Sequence, residues 1–222
     1  MISYTQIHEG GTNMEQITIL RGPDRVRKRP AVVFGSADGM GAQNAVSMLL
    51  NLFAIEAQLG YCKHISVTQD GDCFEISGQG RGIYLGDKKR WHDIFCEIYC
   101  GPMTLPEDQR NLSPLEDPHH HALFVEGETE HLELCSVQYV SRYMQVVSVI
   151  DHKQTTLRFE KGYSVGEERV TTEAPDGTTF RFALDPEVFS CTEVPASYFR
   201  DALDTLANQV PGLICEYRNI HD

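Results

Sequence analysis

The sequence is short of positive charge. Its 19 lysines and arginines face 32 aspartates and glutamates, and the formal net charge is -13. Affinity for nucleic acid rests on cations that neutralise phosphates, so direct DNA binding is not expected. One basic stretch exists, Arg25-Val26-Arg27-Lys28-Arg29, and it reads equally as a solvated helix end or a phosphate contact. No apolar run approaches the roughly 20 residues a bilayer span needs, and no charged-then-apolar leader opens the chain. Membrane insertion is therefore not expected. The seven cysteines are an odd number and are scattered through apolar segments, as at Cys96 and Cys135. Reduced thiols in a cytoplasmic protein fit this better than a disulfide framework. No internal repeat is visible.

What is present is an ordinary globular composition, 41% hydrophobic over 222 residues. That length suits one fairly large domain with a core that needs no disulfide or metal. Residues 1–14 read as a flexible N-terminal arm and residues 15–222 as the domain. Gln16 to Leu20 alternates as a short strand, and Pro23 to Lys28 reads as a short helix stopped before Pro30. Ala42 to Leu59 gives the clearest helix, with Ala45, Val46, Leu49, Leu50, Phe53 and Ala57 at helical spacing and Gly60 as its stop. Two strands, Ile65 to Gln69 and Cys73 to Ser77, flank the hairpin dipeptide Asp70-Gly71. A glycine-rich run, Gly78-Gln79-Gly80-Arg81-Gly82, precedes a helix from Lys88 to Tyr99. Residues 101–121 read as a loop and Glu133 to Tyr143 as a helix. Strands at Gln145 to Asp151, Thr155 to Glu160 and Thr178 to Ala183 come next, before a helix from Phe199 to Val210 and a strand from Leu213 to Arg218. Strands and helices mix without regular βαβ alternation, which predicts an α+β two-layer sandwich.

Four blocks, in order, resemble the ATP-binding domain of the gyrase B and topoisomerase IV family. They are Arg25 to Pro30 with Val33-Phe34-Gly35-Ser36, Glu56-Ala57 with Gly60-Tyr61-Cys62, Gly80-Arg81-Gly82-Ile83, and Asp176 to Phe182 with Asp185-Pro186-Glu187-Val188-Phe189. The resemblance implies the Bergerat (GHKL) ATP-binding fold: a mixed sheet with helices on one face. The chain ends where the family's ATPase domain ends, so the transducer and DNA-handling parts are not expected.

The resemblance also shows which chemistry is missing. In the family a carboxylate on the long helix activates the attacking water, and an asparagine one turn later holds magnesium. Here Met48 and Leu52 take those positions, and no other acid lies between Ala42 and Ile55. No catalytic residue is therefore expected. The family's adenine-binding aspartate is replaced by Gly78, and its glycine-rich lid by Glu130-His131-Leu132-Glu133-Leu134-Cys135. Glu56, Gly80, Arg81, Gly82 and Thr178 remain as a residual pocket. In the family the glutamate–arginine pair sits at the adenine rim and the threonine bonds adenine through water. In this chain the ion pair and Thr178 read as fold support ahead of retained nucleotide binding. Glu56 as a substitute base is disfavoured, since it lies two turns away and is expected to pair with Arg81. His119-His120-His121, with Cys96 and Cys100 nearby, is a weak metal candidate read as a solvated loop.

These features predict a pseudo-ATPase with no cofactor and no metal, acting as an interaction or regulatory module. Its partner would be another protein or a second copy of itself. The alternatives are nucleotide binding without turnover, and an ATP- and magnesium-dependent domain of a divergent type II DNA topoisomerase.

Overall fold

The computed structural model describes residues 20–86, 88–98 and 134–221. Its elements are α1 (Asp24–Arg27), α2 (Pro30–Phe34), α3 (Gly39–Gln58), β1 (His64–Asp70), β2 (Cys73–Gln79), α4 (Lys88–Cys96), α5 (Leu134–Val140), β3 (Ser141–Ile150), β4 (Lys153–Glu160), β5 (Tyr163–Thr171), β6 (Gly177–Leu184), α6 (Ala196–Gln209) and β7 (Ile214–Asn219). The strands form one seven-stranded sheet in the order β5-β4-β3-β6-β2-β1-β7. Every pairing is antiparallel except that of β1 with β7, which is reached through the α6 crossover. The arm, the Gln16 to Leu20 strand except Leu20 itself, the 101–121 loop and the histidine triplet lie outside the described residues.

One sheet face carries the core. Ile65, Val67, Phe74, Ile76, Phe180 and Phe182 alternate along β1, β2 and β6 and are fully buried beneath the helices. The opposite face is polar: Ser66 bonds Ser77 at 2.8 Å, and Arg181 bonds Glu75 at 2.5 Å. This is the expected two-layer α+β sandwich of the GHKL type. Among the described residues, no helix is long and apolar enough to cross a membrane.

The long helix begins three residues before its apolar stripe. Asp38 caps it by accepting from Met40 N at 2.9 Å, and Ser36 Oγ takes the Gly41 N–H at the same distance. Gly41 is required there, because a Cβ would lie 2.1 Å from Ser36 O. Other boundaries differ from the sequence expectation. Pro30 stops α1 but also opens α2, since proline's fixed φ suits a first helical position. The expected Glu133 to Tyr143 helix ends at Val140, and residues 141–143 already belong to β3. Gly78 and Gln79 belong to β2, so the glycine loop proper starts at Gly80. Strand β5 has no counterpart in the sequence expectation.

Candidate functional site

Parts of three of the resembling blocks (Glu56 with Cys62, Gly80 to Ile83, and Thr178) come together around the second half of α3, while Phe34 and Ser36 of the first block and Phe189 of the fourth lie by its start. Gly78 ends β2 beneath the helix, Gly80 to Ile83 follow as a loop, and Thr178 stands opposite Gly78 on β6. Leu52, Phe53, Glu56, Cys62, Gly78, Gly80, Arg81, Gly82, Ile83 and Thr178 line one cavity. Every retained residue named from the sequence is therefore in one place, as are Leu52 and Gly78. Met48 is half-buried against the core and is not among the lining residues.

The cavity is nearly filled. Its volume is about 10 Å³, room for about one water molecule. Phe53 fills the rest. A Cβ built on Gly78 would stand 2.2 Å from Phe53 Cδ1 and 2.7 Å from Cε1, so the ring occupies the space that a side chain at residue 78 would need. Phe53 is 3% exposed and meets Phe180 edge-on at 5.9 Å between ring centroids. The missing side chain at 78 and the bulk at 53 are complementary, the ring standing where that side chain would be. Sequence reasoning missed Phe53 as a site residue, because at helical spacing an aromatic reads as core.

The retained polar residues are all engaged within the fold. Glu56, 6% exposed, takes Arg81 Nη2 at 2.7 Å and Nε at 3.2 Å. The Arg81 guanidinium also stacks on the Tyr61 ring, 3.7 Å from its centroid. Thr178 Oγ1 accepts from Ile83 N at 3.0 Å, and Ser148 Oγ donates to Ile83 O at 2.8 Å. The loop is thus clamped through both polar groups of Ile83. Gly82 permits the clamp: its φ of 73° suits glycine, and a Cβ would lie 2.6 Å from Val149 O. Tyr61 was named in the sequence only as part of a resembling block and Ser148 only within the Gln145 to Asp151 strand, and neither was given a role at the site.

The cavity is smaller than a nucleotide. Ligand pockets for molecules of that size run to about 300 Å³ or more. Leu52 is 1% exposed and carries no oxygen for a hard cation. Its neighbour in the chain, Asn51, does carry one, but it is buried and lies outside the cavity lining. The altered lid is described only from Leu134 and Cys135, which open α5 and are buried. A separate open groove of about 880 Å³ runs past the start of α3, lined by Met40, Gln43, Gln69 and Cys191 among others. Its buried amide, Gln69, is already satisfied by Gly71 O, Val194 O and the Tyr217 hydroxyl.

No family model matches the chain. Curated proteins do. DNA gyrase B of Thermotoga maritima is 27% identical over 213 residues, 92% of this chain and 31% of the relative. The Haloferax volcanii gyrase B is 29% identical over 199 residues, 86% of this chain and 30% of its own. That of Enterococcus faecalis is 26% identical over 213 residues, 93% of this chain and 30% of its own. The chain thus spans about a third of the length of these relatives. Similarity over most of the chain, together with the fold, supports a gyrase B-like domain, a relative of DNA gyrase B.

Proposed function

We propose that this chain is a pseudo-ATPase: a gyrase B-like domain that neither binds nor hydrolyses ATP and acts through contacts with protein. The observation that carries this reading is the Phe53 ring packed over Gly78, which leaves the family's adenine position without space as well as without an acceptor. Met48 and Leu52 add the loss of the base and of the metal ligand. Glu56, Arg81 and Thr178 then serve the fold, holding the long helix to the glycine loop and the loop to β6.

A second reading is the ATP-hydrolysing domain of a divergent type II DNA topoisomerase. The intact Glu56–Arg81 pair and the names of the relatives favour it. Phosphate release at saturating ATP and magnesium separates the two. The pseudo-ATPase reading expects no turnover above buffer, and none after Met48→Glu with Leu52→Asn, because Phe53 still fills the cavity. Turnover by the unmodified chain would establish the second reading.

A further inference from the structure

Strand β7 ends the sheet. It runs parallel to β1, and among the described residues no strand covers its other edge. Ile214 and Ile220 turn their N–H groups onto β1, bonding Lys63 O at 3.0 Å and Gln69 O at 2.9 Å. By the strand's period of two, Glu216 and Arg218 also face β1, which leaves the backbone groups of Cys215, Tyr217 and Asn219 on the open edge. On the outer sheet face stand Ile214, Glu216, Arg218 and Ile220, all exposed. The two isoleucines are 57% and 51% exposed. Arg218 has no ion pair among the described residues, while Glu216 has His64 Nε2 at 3.2 Å and keeps 64% of its side chain exposed.

In the reverse direction, apolar-acid-base-apolar becomes apolar-base-acid-apolar, so this edge is complementary to itself. We propose that β7 is the docking edge for a second copy of the chain, the two strands pairing antiparallel about a two-fold axis through Tyr217. In this register Glu216 lies opposite the partner's Arg218, and Ile214 opposite the partner's Ile220. Cys215 then pairs with the partner's Asn219, and Tyr217 with the partner's Tyr217. These last are the residues whose backbone groups already point outward, so they form the hydrogen-bonded pairs. The charged and apolar residues fall in the non-hydrogen-bonded positions, where side chains approach most closely. Parity, charge and apolar contact are all satisfied by one register, and the contact closes as a symmetric dimer.

The other end of the sheet is built differently. Strand β5 carries Glu167, Glu168 and Arg169 in succession, and its ladder is broken by a register shift between Arg158 and Phe159. Bulges and charges of that kind are how edge strands avoid pairing. The β7 ladder has no register shift, and the strand has no proline and no lysine.

Sedimentation equilibrium of the whole chain tests the proposal. The wild type should be a dimer at micromolar concentration, with or without residues 1–14. Glu216→Arg and Arg218→Glu each set like charges across the axis and should weaken association about tenfold or more. The double variant E216R/R218E restores opposite charges and should restore the dimer, and the two single variants mixed together should form a heterodimer. Unchanged circular dichroism confirms that each variant folds. A monomeric wild type, a dimer indifferent to both single reversals, or a double variant no better than the singles would overturn the proposal. None of these readouts involves nucleotide, so the result stands apart from the pseudo-ATPase reading.

Discussion

Phe53 and Gly78 depend on each other. Adding a methyl at residue 78 forces the ring out of its site, an overpacking that costs about 1–3 kcal/mol. Removing the ring with Phe53→Ala leaves a cavity beside Leu52 and Ile83 and costs about 3–5 kcal/mol. Together, Phe53→Ala and Gly78→Ala should cost less than their sum, with a coupling of about 1–3 kcal/mol in urea unfolding. Additive costs would mean that the ring is free to move away from Gly78. Half of this pair was legible in the sequence. Gly78 stood out as a missing acceptor once the glycine loop fixed the register, whereas Phe53 lay unmarked in an apolar stripe. Only the packing of α3 on β2 brings the two together.

Among the elements, α1 is held to the turn after β6 by a buried ion pair. Arg27 Nη2 lies 2.7 Å from Asp185 Oδ2, and Asp185 is 2% exposed. Burial by itself pushes the Asp185 carboxyl up. The Arg27 hydrogen bond, the Glu187 N–H and the Arg27 and Lys161 charges outweigh it, and the group sits below the ordinary carboxylate value. A carboxyl depressed in the folded state stabilises fully above its unfolded pKa of about 3.9, and that contribution is lost as the pH falls through the folded value. Stability should therefore drop in acid below about pH 4, with Asp185→Asn giving a flatter profile there. Asp185→Ala strands the Arg27 guanidinium and should cost about 3 kcal/mol at neutral pH in thermal or urea melts. A cost near zero would mean that Glu187, 3.5 Å from Arg27, takes over the pairing. Both partners fall in blocks that the sequence had flagged. Strand β5 was not legible because it is exposed on both faces along nearly its whole length, so no apolar alternation marks it. The end of α5 was misplaced for the opposite reason. Ser136, Gln138 and Ser141 are as buried as the apolar residues around them, so polarity gave no sign of where helix passes into strand.

For the whole molecule, the formal net charge is -13, with no excess of cations to neutralise a phosphate backbone. The gyrase B-like sandwich is retained, Phe53 fills the space beside Gly78, and among the described residues no strand covers the outer edge of β7. The two-layer architecture was legible because it rests on periodicity and on the four ordered blocks. The filling of the pocket was not, because it depends on a distance between helix and sheet. Thermal denaturation with ATP and with a non-hydrolysable analogue, each with and without magnesium, tests that filling directly. A ligand at a hundred times its dissociation constant would add about 2.7 kcal/mol of stability. The filled pocket predicts no shift with either nucleotide, and a magnesium-dependent rise in Tm would contradict it.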